Sequence, residues 1–297
     1  MHDPAPLLSP ALRAFRGDLT DPDRWSVWQP RRDDILVCTP PKSGTTWTQT
    51  ILTMLAKGTT DLPDRVPVLS PWIDADLGVP ADQVAAALDQ QSDRRVVKTH
   101  TPASGFPVWD GVHLVAVYRH PLDVFFSVRK AVANRDSAPD HPMRLPVEDS
   151  VRLFLDTPAN DRDFDTDTLA LIVTHYRDTV LSGRVPQDAV FHYADMLRDA
   201  RSSIARMAHA VGIKATDELI DRVTTVTEFS AMKAKAADYA PVGGTGFWHS
   251  DAAFFDSGSS DKWKGQISDE MLAHYTRRMA ELLPDPAQRR WLEYGAG

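Results

Sequence analysis

Residues Ile35 to Gly58 read ILVCTPPKSGTTWTQTILTMLAKG, and this stretch decides the fold. The short apolar run Ile35 to Thr39, bounded by acids before it and prolines after it, predicts a buried strand. The segment Thr46 to Lys57 places apolar residues at helical spacing. Between them Lys42-Ser43-Gly44-Thr45-Thr46 sets a cation, a conformationally free glycine and hydroxyls at a strand-to-helix turn. There backbone N–H groups and the helix dipole favour an anion such as phosphate. The spacing is not that of the G-x-x-x-x-G-K-[ST] loop, because the lysine precedes the glycine. Without a ligand the same residues would make an ordinary turn capped by Thr45.

Working outward, three further runs predict strands: Arg95 to Thr99, His113 to Arg119 and Ala189 to Tyr193. Helical patterns fall at Ala81 to Leu88, Leu122 to Asn134, Val147 to Leu155, Thr166 to Leu181, Leu197 to Val211, Asp217 to Thr225 and Ser268 to Leu283. Strands separated by helices imply an α/β fold, a central parallel sheet flanked by helices. With no internal repeat and no linker-like stretch, the 297 residues are expected to form a single domain over 1–297, its core about 25–290. The segment 240–266 mixes glycine and serine with two tryptophans and three phenylalanines. That composition predicts a loop that orders itself over a ligand.

In open parallel sheets ligands bind beyond the carboxyl ends of the strands. Lys98-Thr99-His100 ends the second predicted strand and Arg119-His120-Pro121 the third. The topology puts His100 near Lys42, with Arg119 as a further cation. Ser127 lies two turns into the helix after Arg119, so the two can grip one phosphate from two sides. Together these residues describe a pocket for two separated anionic groups with a candidate base between them.

Composition narrows the alternatives. A net charge of -8 disfavours nucleic acid as a partner, and one cysteine, Cys38, excludes a disulfide framework. No apolar run reaches the ~18 to 20 residues that span a bilayer. The first residues, an acid among prolines, do not read as an export signal. A cytoplasmic protein that is not membrane-embedded is the expectation.

At this point the chain resembles the cytosolic-type sulfotransferases, which use 3'-phosphoadenosine-5'-phosphosulfate (PAPS) as co-substrate and release 3'-phosphoadenosine-5'-phosphate (PAP). PKSGTTW (Pro41 to Trp47) resembles the family's 5'-phosphosulfate loop, YRHPLDVFFS (Tyr118 to Ser127) its 3'-phosphate motif, and KTH (Lys98 to His100) the segment bearing its general base. RVPVLSPW (Arg65 to Trp72) is similar to an acceptor-pocket segment and HYADML (His192 to Leu197) to the strand whose tyrosine meets the adenine. TEFSAMK (Thr227 to Lys233) is similar to a nucleoside-contacting helix start, and FFDSGSSDKWKG (Phe254 to Gly265) to the C-terminal nucleotide loop. The likeness runs in matching order from about Trp25 to the C-terminus. Two departures stand out. Asp256-Ser257 precede Gly258 where the family has a basic pair, and the family's dimerisation segment does not match at Lys264, Ser268-Asp269 and Ala273, so no oligomer is implied.

The resemblance implies the P-loop-kinase-like sulfotransferase fold and transfer of a sulfuryl group to an acceptor hydroxyl, without a required metal. Lys42 would meet the leaving group, Lys98 the sulfuryl oxygens, and His100, near its ordinary pKa, would take the acceptor proton. Ser43, Gly44, Thr45 and Thr46 would hold the 5'-phosphate, and Arg119, Ser127 and Gly258 the 3'-phosphate. Trp47, Tyr193, Thr227 and Phe229 would surround the adenosine. Trp72, Phe106, Trp109 and Phe247-Trp248 suggest an apolar acceptor pocket, which favours a small-molecule, lipid or glycolipid hydroxyl. A small-molecule kinase and a catalytically inactive nucleotide-binding protein on the same scaffold are the alternatives.

Overall fold

Alternation along the strand at residues 35–38 assigns its two sides, with Leu36 and Cys38 packing into one hydrophobic cluster and Ile35 and Val37 into another. A strand buried on both faces needs helices above and below it, and the computed structural model, which describes residues 4–296, has that arrangement. The outer bounds of the expected single domain, 1 and 297, lie outside the described residues.

The strands are β1 (Leu7–Ser9), β2 (Ile35–Cys38), β3 (Val96–Thr99), β4 (Val108–Trp109), β5 (His113–Tyr118) and β6 (Val190–His192). The central sheet has the order β3-β2-β5-β6 and is parallel throughout, with Ile35 beside Val96 and His113, and Tyr118 beside His192. The α/β class expected from the sequence is the one observed. A small antiparallel pair, β1 with β4, was not expected. The helix Thr45–Lys57 covers one side of the sheet through Ile51, Leu52, Met54 and Leu55. On the other side the helix Pro121–Ala133 buries Leu122, Phe125 and Phe126, each contributing roughly 1.5 to 3 kcal/mol.

Several predicted boundaries shift for identifiable reasons. Tyr193 begins the helix Tyr193–Arg198 instead of ending β6, because the His192 side chain accepts the Ala194 N–H and caps the turn. The helix expected over Leu197 to Val211 breaks at Asp199, whose carboxylate caps the second piece, Ala200–Ala210, at the Ser202 N–H. The helix expected from Thr166 starts at Leu169 with Thr168 as its cap, and passes into a π-turn at Arg177–Leu181. The C-terminal helix Pro286–Tyr294 lay beyond the predicted elements.

A buried ion pair ties the amino ends of β2 and β3 together. The Arg95 guanidinium donates to Asp34 through Nε at 3.0 Å and to the Gln29 carbonyl at 2.9 Å, with both charged side chains almost wholly enclosed. The carboxyl ends of the strands are thereby left as the open edge.

Candidate active site

The turn after β2 is shaped by two left-handed residues, and the Arg119 side chain donates to its Lys42 carbonyl at 3.3 Å. Lys42 and Gly44 both adopt left-handed conformations, at φ 60° and 108°. A Cβ on Gly44 would come within 2.9 Å of the Tyr193 ring, so glycine is required there for conformation and for space. Gly44 itself occupies the helix N-cap, so the cap expected at Thr45 lies one residue earlier. The Thr45 hydroxyl instead bonds that of Thr39 at 2.6 Å. The Ser43 hydroxyl is buried with no protein partner. Such an atom beside four free helix N–H groups invites an anionic ligand.

The cavity over this turn has a volume of about 400 Å³. Lys42, Gly44, Thr45, Thr46, Trp47, Lys98, His100, Arg119, Ser127, Tyr193, Thr227, Phe229 and Gly258 all line it, whereas Ser43, in the same turn, is fully buried and is not among the lining residues. The sequence-predicted site residues are therefore brought together from six separate segments.

The cations lie close enough to disturb one another. Burial, then Arg119, Lys262 and Lys98, pushes the Lys42 ammonium down to about 7, and it sits 3.8 Å over the Phe254 ring. Burial pushes Lys98 down to about 8 against the opposing pull of Asp74, and its ammonium lies 4.6 Å over the Trp72 ring. Arg119 donates to the Ser259 carbonyl at 2.8 Å and lies 4.4 Å over Tyr193, while its buried Nε makes no hydrogen bond and has the Asp123 carboxylate 4.0 Å away.

His100 follows β3, and its Nδ1 is 2.8 Å from the Thr39 carbonyl oxygen. A carbonyl only accepts, so Nδ1 carries the proton and Nε2 keeps its lone pair. Trp72 packs edge-on against the ring at 4.5 Å. Burial, then Lys98, pushes the imidazole well below its ordinary value, which corrects the expectation that it titrates near that value. In this environment His100 is neutral.

Trp47 and Tyr193 meet edge-on at 5.7 Å and form one wall with Phe229. A Cβ on Gly258, at φ 60°, would come within 2.4 Å of Phe229, so the C-terminal loop packs directly on that wall. The Thr227 hydroxyl donates to the Val223 carbonyl at 2.7 Å, so its bond is already used within its own helix.

Apolar side chains in the lining are Trp72, Leu77, Val128, Phe154, Phe164, Ile172, Phe247 and Trp248, and Arg135, His141, Asp165 and Asp167 line the same cavity. Phe106 and Trp109 are not among the lining residues. They pack against Trp25 at 5.0 and 6.3 Å in the core, because the β1–β4 pair turns that segment inward.

Three features were not anticipated. The Asp123 carboxylate accepts the N–H groups of Asp261 and Lys262 at 2.9 and 3.0 Å, which fastens the C-terminal loop to the helix after β5. Its i,i+4 spacing from Arg119 was the available signal. Asp74 accepts the Thr99 and Thr101 hydroxyls, and burial pushes it up to about 6. Asp256, read as an acid in place of a basic pair, is itself ion-paired by Lys130 and Lys262. Lys130 is one turn beyond Ser127, a spacing that could have been noticed.

An α/β sheet with a cation-lined cavity at its carboxyl edge defines a class of proteins that bind anionic nucleotides at strand ends. The sulfotransferase domain family matches residues 32–285, and the chain belongs to that family and is a sulfotransferase. It is similar to a glycolipid sulfotransferase of Mycobacterium bovis at 30% identity, over 95% of this chain and 94% of the relative. One of Mycobacterium tuberculosis matches at 30% identity with the same coverage. Among solved structures, a mouse sulfotransferase complexed with PAP shares the fold with a TM-score of 0.69 at 19% identity, over 92% of this chain and 93% of that one.

Proposed function

We propose that this sulfotransferase takes its sulfuryl group from PAPS and delivers it to a hydroxyl of an amphipathic acceptor, a glycolipid or a smaller apolar alcohol or phenol. The observation that carries the reading is one cavity lined both by Lys42, Arg119 and Ser127 and by apolar side chains such as Trp72, Phe154 and Trp248, with Lys98 and His100 also in its lining. The fit to the nucleotide rests on Arg119, whose buried Nε makes no protein hydrogen bond, on the free N–H groups of the turn, and on the aromatic wall of Trp47, Tyr193 and Phe229.

Bound PAPS supplies an activated sulfur whose leaving group is a phosphate oxygen. His100 receives the acceptor's proton at Nε2 as the acceptor oxygen bonds to sulfur and the sulfur–phosphate oxygen bond breaks. Lys42 compensates the charge appearing on the released oxygen, and Lys98 that on the sulfuryl oxygens. Ser43, Thr45, Thr46 and the backbone of the turn hold the 5'-phosphate, and Arg119 and Ser127 the 3'-phosphate. Burial first, and then the charges of Lys98 and Lys42, hold the proton affinity of His100 low; donor anions beside the two lysines offset the second part.

The relatives named for glycolipids support the glycolipid class, and the apolar lining is compatible with it. A cytoplasmic site of action fits the single free cysteine, Cys38, buried against the His175 ring. The test is transfer of radiolabelled sulfate from PAPS to a panel of glycolipids, sterols and phenols. Absence of transfer across the panel, together with tighter binding of Mg-ATP than of PAP, would replace this reading with a kinase.

A further inference from the structure

At the nucleotide end of the cavity a carboxylate occupies the position between two lysines. Asp256, with 9% of its side chain exposed, is ion-paired through one oxygen to Lys130 and through the other to Lys262. Lys233 reaches the Asp256 carbonyl at 3.4 Å. Asp256, Gly258 and Lys262 line the same cavity as Arg119 and Ser127, and Lys130 stands on the face of its helix that carries Ser127. Lys262 is fixed by its own N–H on Asp123, and only 13% of its side chain is exposed, against 65% for Lys130. Burial alone would raise Asp256, but the bonds from Lys130 and Lys262 hold it below the usual carboxylate range.

A carboxylate clasped by two ammonium groups is a small-scale image of a phosphate clasped by the same groups. The charges agree with this. Lys130, Lys262 and Arg119 face the carboxylates Asp256 and Asp123, and Lys233 meets the Asp256 main-chain carbonyl; set against the two carboxylates, these cations leave two positive charges for a phosphate that carries about two negative ones at neutral pH.

Resting on the donor assignment above, we infer that Asp256 is an exchangeable counter-ion. It holds Lys130 and Lys262 in place beside Ser127 until the donor's 3'-phosphate takes over their bonds, so these two lysines, not the residues that precede Gly258, set the preference for a 3'-phosphorylated nucleotide. Competition from Asp256 weakens the hold on PAP and speeds its departure after transfer.

Calorimetry with PAP and with 5'-AMP, which lacks the 3'-phosphate, tests this, with melting temperatures of every variant as the folding control. Lys262→Met should lose on the order of tenfold in PAP affinity and Lys130→Ala severalfold, with 5'-AMP nearly unchanged in both. Asp256→Asn should tighten PAP severalfold and leave 5'-AMP alone. If Lys262→Met unfolds because it strands Asp256, the double variant Asp256→Asn with Lys262→Met removes both charges, and the PAP to 5'-AMP ratio should still fall below that of Asp256→Asn. A ratio unmoved by the lysine variants, or weaker PAP binding in Asp256→Asn, overturns the inference while the donor assignment stands. Wild-type protein that binds PAP no better than 5'-AMP overturns both.

Discussion

Binding of the donor product should draw protons from solution, because the cavity holds two lysines that are incompletely charged near neutral pH. Lys42 is pushed down to about 7 and Lys98 to about 8. At pH 8, ~0.1 of Lys42 and ~0.5 of Lys98 carry a proton, and phosphate placed beside them restores their ordinary charge. PAP should therefore take up ~0.9 proton through Lys42 and ~0.5 through Lys98 at that pH. Each proton taken up weakens affinity tenfold per pH unit, so between pH 7 and 9, where the phosphates are fully ionised, Lys42 alone costs PAP binding ~50-fold and Lys98 a further ~10-fold. Calorimetry in two buffers of different ionisation enthalpy measures the uptake directly. Lys42→Met should reduce it at pH 8 to ~0.5 proton and flatten the affinity profile. The same substitution should stabilise the free protein. Unfolded Lys42 keeps its proton up to about 10.5 whereas the folded residue gives it up near 7, so the unfolded chain binds more protons in that window and stability rises with pH across it. Below pH 7 that stability is missing from the wild type and should be recovered in the variant. Wild-type uptake under ~0.3 proton at pH 8, or uptake unaltered by Lys42→Met, would refute the electrostatic account of the cradle.

His100→Ala should abolish transfer while PAP affinity measured by calorimetry changes less than about threefold, since the proposed base would touch the acceptor and not the nucleotide; a parallel collapse of PAP binding would make it a structural residue. Gly44→Ala places a methyl 2.9 Å from Tyr193 at φ 108° and should weaken PAP by at least about tenfold with a lowered melting temperature; unchanged affinity would mean that the turn is soft. Arg95→Met leaves Asp34 buried without its partner, and should lower unfolding free energy in denaturant by roughly 3 to 5 kcal/mol; a loss under about 1 kcal/mol would show that water reaches the pair.

The local features of the site were readable in the order of residues. The strand at Ile35, the Lys42-to-Thr46 turn, the KTH end of the next strand and the Arg119 to Ser127 spacing are each short-range patterns, set by strand burial and by where a helix exposes free N–H groups. A parallel sheet then forces such strand ends to one edge, so the convergence of Lys42, Lys98, His100 and Arg119 followed from topology without knowledge of distances. Side-chain direction was beyond reach. Phe106 and Trp109 had the composition of pocket residues, yet the unexpected β1–β4 pairing and the packing of Trp25 against them make them core. The run up to Tyr193 has a strand's pattern, and nothing in an apolar run reveals that the His192 side chain will cap a helix there. The character of Asp256 was also decided by tertiary structure. Its partner Lys130 is 126 residues away in the chain, and only a folded molecule turns an isolated acid into the centre of a lysine pair. Local chemistry is written in neighbours, whereas charge compensation depends on which distant groups the fold brings within a few ångströms.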